Sequence, residues 1–205
     1  MTRNVGIYIY DEVEVLDLGG PFEVFSTAAR MKGRLFPDAA KPFAVFTVAD
    51  APRLIAARGA LMVQPTYDIT NHPPIDVLIV PGGVHNAELE REHIIQWIAT
   101  TAARASLTAS VCTGAFLLAK AGLLSGKTIT THWEDVDEFR SMFPDIPVQT
   151  DTRWVDAGNI VTSAGISAGL DMSLHLVARL ESEELAVRTA RQMDYDWQRF
   201  GNKIA

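Results

Sequence analysis

Short apolar runs recur along the chain, separated by turn residues and by longer stretches with helical spacing. Val5-Gly6-Ile7-Tyr8-Ile9-Tyr10 is almost wholly apolar and rich in β-branched and aromatic residues, the pattern of a strand buried on both faces of a sheet. Phe43 to Val48, Asp76 to Val80 and Leu107 to Val111 read the same way. Leu54-Ile55-Ala56 and Ala60 to Val63, around Arg58-Gly59, predict a small hairpin at a sheet edge. Thr128 to Thr131 predicts a further strand, and Arg153-Trp154-Val155 with Ile160-Val161-Thr162 predicts a second hairpin around Ala157-Gly158-Asn159.

Helical stretches fill the gaps. Gly20-Pro21 opens one that runs to about Met31 and ends at Lys32-Gly33, since proline is favoured at the first helical position. A long helix is expected from about Ala87 to Ala103, with Leu89, Ile94, Ile95 and Ile98 on its apolar face and Glu88, Glu90, Arg91 and Glu92 on the other side. Gly114 to Ala121, Trp133 to Met142, Ser167 to Leu180 and Glu183 to about Phe200 follow, leaving Gly201 to Ala205 loose. Strands alternating with helices in this order predict an α/β fold with a mostly parallel sheet covered on both faces.

Composition narrows the partners. The chain has 205 residues, with 18 Lys and Arg against 25 Asp and Glu, a formal charge of −7 that repels a phosphate backbone. One domain spanning 1–205 is expected, with no nucleic-acid partner. The run from Val5 to Tyr10 is too brief for a signal-peptide core or a membrane span, and the single cysteine, Cys112, cannot form an internal disulfide. A cytoplasmic protein with no membrane partner is the expectation. His72, His85, His93 and His175 show no paired spacing with cysteines or carboxylates, so neither metal nor other cofactor is expected.

The junction Ser110-Val111-Cys112-Thr113-Gly114-Ala115 carries the candidate chemistry. Ligands of open α/β sheets bind at the carboxyl ends of strands, and here a strand gives way to a helix across two residues, with Gly114 allowing close packing. Such an elbow exposes a nucleophile, and the helix N-terminus is expected to depress the Cys112 thiol pKa. The alternative is a small buried hydrophobe.

Asp17 lies among Val15, Leu16 and Leu18. With Gly20 as the expected helix cap it stands three residues too early to cap, and its apolar surroundings would raise its pKa toward values useful for proton transfer. His132 follows Cys112 by twenty residues, so one helix and one strand can return it beside the elbow; a histidine satisfied by a backbone carbonyl is the alternative. Gly82, Gly83 and Val84 end another strand and offer backbone N–H groups that can stabilise negative charge, or form a plain turn. Glu134, Asp135, Asp137 and Glu138 read as a solvated helix face.

These motifs resemble the ThiJ/PfpI superfamily, the class I glutamine amidotransferase-like proteins. The resemblance is carried by Asp17-Leu18-x-Gly20-Pro21-x-Glu23-Val24, Val80-Pro81-Gly82-Gly83, Val111-Cys112-Thr113-Gly114, Ala121-Gly122-Leu123-Leu124-x-Gly126-Lys127, Thr130-Thr131-His132-Trp133 and Ala164-Gly165-Ile166-x-Ala168-Gly169-x-Asp171. The Cys-Thr-Gly and Thr-Thr-His-Trp pair is similar to the isonitrile hydratase-like branch, which is shared with transcription regulators. The resemblance implies a flavodoxin-like three-layer sandwich, a homodimer, and a small electrophilic substrate attacked by Cys112 with Asp17 as acid and base.

The same resemblance places Thr113 and the amides near Gly83 and Ile166 around substrate and water, with Trp133 as a pocket wall or core aromatic. Thr113 stands where peptidase members carry histidine, and Asp17 where deglycase and glyoxalase members carry glutamate, which leaves amidase, peptidase and glyoxalase activities as minor alternatives. A standalone thiol sensor or ligand-binding domain is the other reading, because only one helix and a tail follow Leu180, too little for a helix-turn-helix module.

Overall fold

The computed structural model describes residues 1–201. A seven-stranded sheet forms its centre, built from β1 (Arg3–Tyr8), β2 (Phe43–Ala49), β5 (Tyr67–Asp68), β6 (Val77–Val80), β7 (Leu107–Val111), β8 (Trp154–Asp156) and β9 (Ile160–Ser163). Their order is β5-β2-β1-β6-β7-β9-β8, parallel throughout except for β8 against β9. Every residue of β6 and β7 is buried, as a parallel sheet covered on both faces requires. Helices α1 (Val15–Leu35), α6 (Ala168–Leu180) and α7 (Glu183–Gln192) pack on one another, while α2 (Asn86–Leu89), α3 (Glu92–Ala102) and α4 (Gly114–Lys120) form a second group. The result is the expected three-layer α/β sandwich. Helix α5 (Val136–Met142) follows a turn of 3-10 helix at Trp133–Asp135.

Several elements depart from expectation. Helix α1 starts five residues before Gly20, at Val15, with Pro21 inside it, so Asp17 occupies its first turn rather than a preceding loop. Pro21 removes the amide that would bond the Asp17 carbonyl, and the helix tolerates this because its buried face, including Val24, Phe25 and Ala28, holds it against the core. The helix expected from Ala87 to Ala103 is broken in two, with Arg91 at φ −94° and ψ 83° outside helical geometry. Glu88, assigned to the polar side by periodicity, is buried.

β3 (Ile55–Ala57) and β4 (Leu61–Val63) pair antiparallel in a sheet of their own, leaving two-residue β5 as the edge of the main sheet. Thr128 to Thr131 forms no strand: the Thr130 amide is bonded by the Thr162 hydroxyl at 2.8 Å, and only Ile129 bridges Val148. Helix α7 stops at Gln192, after which the chain returns to α6, where the Trp197 indole donates to the Asp171 carbonyl and Gln198 N–H to its carboxylate. Of the tail expected to be loose, Gly201 is buried and residues 202–205 lie outside the described residues.

Candidate active site at the carboxyl ends of four strands

Cys112 lies between β7 and α4 with φ +56°, in the left-handed region that side chains avoid. Neighbouring segments hold it there: its N–H donates to the Ser163 carbonyl of β9 at 3.0 Å, and its carbonyl accepts the Thr131 hydroxyl at 3.0 Å. A Cβ on Gly114 would collide with the Val80 carbonyl, so glycine alone lets α4 start this close to β6. The strand–turn–helix elbow is therefore formed as its sequence suggests, but Cys112 is buried rather than exposed, as the alternative reading had it.

Its electrostatics differ from expectation. Burial pushes the Cys112 thiol pKa up, the Asp17 charge pushes it further, and the hydrogen bond from the Thr113 backbone opposes them without prevailing. A thiol depressed at the start of α4 is thus not found, because desolvation and the neighbouring carboxylate outweigh the one backbone N–H that favours the thiolate.

Asp17 is fully buried. Its Oδ2 accepts the Gly82 N–H at 3.1 Å, while Oδ1 has no hydrogen-bond partner among the described residues. The thiol lies beside this carboxyl, and the two groups are coupled. Burial raises the Asp17 pKa to about 7, opposed by the Gly82 N–H, raised further by Glu14 and lowered by the Cys112 thiol. A buried thiol beside a carboxyl that titrates near neutrality can pass a proton between sulfur and oxygen.

The three amides expected to stabilise an anion are engaged. Gly82 N–H holds Asp17, Gly83 N–H donates to the Thr113 hydroxyl at 3.0 Å, and Val84 N–H donates to the Glu12 carbonyl at 3.1 Å. Thr113 is itself buried, and its hydroxyl also lies 3.0 Å from the Gly83 carbonyl, which accepts from it. The Gly82 turn therefore positions side chains. The Ile166 N–H, by contrast, has no hydrogen-bond partner among the described residues.

Gly165 closes the other side. A Cβ there would stand 2.6 Å from both Cys112 Sγ and His132 Cδ2, so thiol and imidazole press against its bare Cα. His132 is indeed returned beside the elbow, with its Nδ1 held 3.0 Å from Asp135 Oδ2 rather than by a backbone carbonyl. Trp133 is 66% exposed, not core, and edges a cavity of about 290 Å³ shared with Thr130, Thr131 and Val136. Val84 and Ile166 are exposed apolar residues next to Gly83 and Gly165.

Gly165 and Asp135 were not singled out from the sequence as site residues, although an acid three residues after His132 is a readable signal. Among the described residues no group of three or more His, Cys, Asp or Glu side chains is gathered for a metal, and no helix is long and apolar enough to cross a membrane.

This chain belongs to the DJ-1/PfpI family, which it matches over residues 3–179. It is 33% identical over 196 residues to the isonitrile hydratase of Pseudomonas putida, an alignment covering 95% of this chain and 79% of that protein. It is 29% identical over 195 residues to the HTH-type transcriptional regulator GbdR of Pseudomonas aeruginosa, covering 95% of this chain and 51% of the regulator, about half its length. Among solved structures, a ThiJ/PfpI family protein from Pseudomonas syringae superposes with a TM-score of 0.83 at 29% identity, covering 96% of this chain and 76% of that one.

Proposed function

We propose that this chain is a cysteine-dependent enzyme that adds water to an isonitrile, R–NC, to give the N-substituted formamide. The observation that carries this reading is the Asp17 carboxyl, buried beside the Cys112 thiol and titrating at about 7. The similarity to the P. putida isonitrile hydratase supports it.

In this mechanism ionised Asp17 takes the thiol proton as sulfur attacks the terminal isonitrile carbon, and returns that proton to the same carbon. The product is a thioimidate, Cys112–S–CH=N–R. Asp17 then takes a proton from water as its oxygen adds to the thioimidate carbon, and the proton passes to nitrogen. Collapse expels the Cys112 sulfur, which regains a proton from the new hydroxyl as the carbonyl forms. The balance is R–NC plus H2O giving R–NH–CHO.

The Ile166 N–H is the donor left open for substrate or water, and Thr113 fixes the Gly83 segment. His132, Trp133 and Val84 line the approach. On this reading the chain works as one cytoplasmic domain and as a homodimer, for which exposed Leu61 and Met62 on β4 supply apolar surface.

The test is formamide formation from a simple aryl isonitrile by the native chain, Cys112→Ala and Asp17→Asn. Turnover by the native chain and loss in both variants is the expected result. The similarity to GbdR over 95% of the chain favours a second reading, a thiol sensor or ligand-binding domain. An inert native chain whose Cys112 still reacts with peroxide or iodoacetamide would replace the first reading with the second.

A further inference from the structure

We propose that Tyr8, remote from the thiol in the sequence, is a positioning residue that grips both ends of the Pro81–His85 loop and so fixes the Gly82 N–H on Asp17. This rests on the reading of Asp17 as the acid and base of the site. The first grip passes through the phenol oxygen. Tyr8 OH donates to Glu88 Oε2 at 2.5 Å, in the core, and Glu88 belongs to α2, the helix into which the loop runs. The Glu88 and Leu89 amides both bond the His85 carbonyl, tying that helix to the last loop residue.

The second grip passes through the ring. Tyr8 stacks on Tyr10 with centroids 5.7 Å apart, and Tyr10 OH donates to the Pro81 carbonyl at 3.3 Å, the first loop residue. Between these ends the loop carries Gly82 N–H to Asp17 Oδ2.

The polar end of this device is built rather than incidental. Glu88 also accepts from Arg91 at 2.9 Å, and Arg91 bridges to Asp50, whose other oxygen lies 2.9 Å from His93 Nε2. Glu88 and Tyr8 are buried, and the Arg91 guanidinium and the Tyr8 phenol satisfy the oxygens of this carboxyl group. The groups so joined come from the ends of β1 and β2 and from the α2–α3 turn. None touches Cys112. The charged or titratable groups coupled to Asp17 itself are Glu14 and Cys112, with Tyr10 sensing its charge.

The experiment follows the protonation of Asp17 by its carboxyl 13C resonance, assigned by its loss in Asp17→Asn, across pH 4 to 10, alongside kcat and KM. Tyr8→Phe keeps the ring and removes the hydroxyl without changing charge. Slackening the Gly82 hydrogen bond, which favours the carboxylate, is expected to move the midpoint up by about 0.5 pH units, the scale of one such bond. kcat is expected to fall about tenfold with KM unchanged.

Glu88→Gln is the second variant, should Tyr8→Phe fail to fold. Glu88 is not among the groups coupled to Asp17, and removing an acidic group could only lower a neighbouring carboxyl pKa, so an upward shift reports the loop. Folded variants with an unmoved midpoint and unchanged kcat would overturn the proposal while leaving the Asp17 reading intact. A native midpoint in the ordinary carboxylate range would remove that reading, and the proposal with it.

Discussion

The Asp17 carboxyl and the Cys112 thiol compete for one proton. The carboxylate holds the thiol pKa up, and the thiol holds the carboxyl pKa down. Burial raises both, so each group holds its proton to a higher pH than it would in water, the thiol to the higher pH of the two. The resting thiol is therefore a protonated group with a base beside it, which differs from a standing thiolate.

This relation sets a pH dependence of stability. Asp17 is raised from its ordinary 3.8 to about 7, so the folded state binds its proton more tightly than the unfolded chain. The stability it contributes is fully present below pH 3.8 and is lost as pH rises to about 7, a total on the order of 4 kcal/mol. Asp17→Asn is expected to abolish that decline, matching the native chain near pH 4 and exceeding it above pH 7. Urea unfolding at stepped pH values checks this; parallel curves for the two proteins would contradict it.

Alkylation and turnover are expected to part company. Asp17→Asn removes a charge that raises the Cys112 pKa, so iodoacetamide should modify the variant faster than the native chain above pH 7. Under the proposed function, formamide production should nevertheless be lost, because no carboxylate remains to move the proton. Mass spectrometry of the alkylated chain and a product assay read the two quantities on one sample.

Gly165→Ala should be severe for activity. Its methyl would stand 2.6 Å from Cys112 Sγ and His132 Cδ2, two groups held in place from behind by Ser163, Thr131 and Asp135. Overpacking of this kind costs about 1–3 kcal/mol. Steady-state kinetics should show kcat reduced by about a hundredfold, with thermal unfolding showing the fold retained. Native kinetics in the variant would mean that this wall yields freely.

The chain returning after α7 docks on Asp171, which is itself held in a partly buried ion pair. Asp171, fully buried, takes the Arg153 guanidinium at 2.5 Å and the Gln198 N–H at 2.9 Å. Arg153→Ala leaves that carboxylate uncompensated and should destabilise by about 3 kcal/mol. Asp171→Asn, which keeps an acceptor for Gln198 and loses the charge, should cost less. Denaturant midpoints compare them; equal losses would show that the charge is not what matters.

Much of this was legible because the elbow announces itself locally. Continuous apolar residues from Leu107 to Val111, an abrupt helix and Gly114 together specify where Cys112 sits. The thiol's electrostatics were not legible, since desolvation depends on what the rest of the fold lays over it. The start of α1 was misplaced because Pro21 is a strong local signal that packing of the helix overrides. Glu88 was misassigned for a related reason: periodicity sends acids to the solvated face, and only the fold reveals Tyr8 and Arg91 waiting for it. The Gly82 turn was recognised as special, but which acceptors its amides serve is a matter of distant residues.

The elbow and the walls around it come from the ends of β6, β7 and β9, neighbours in the sheet, and from the first turn of the helix that follows β1, scattered from residue 17 to residue 165 of the chain. The Ser163 carbonyl that pins Cys112 and the Gly165 wall lie more than fifty residues downstream of the cysteine they serve. A nascent or partly assembled chain thus carries an ordinary thiol, and the guarded one appears only when β9 has docked beside β7. The chemical character of a single sulfur atom becomes a stamp of completed folding.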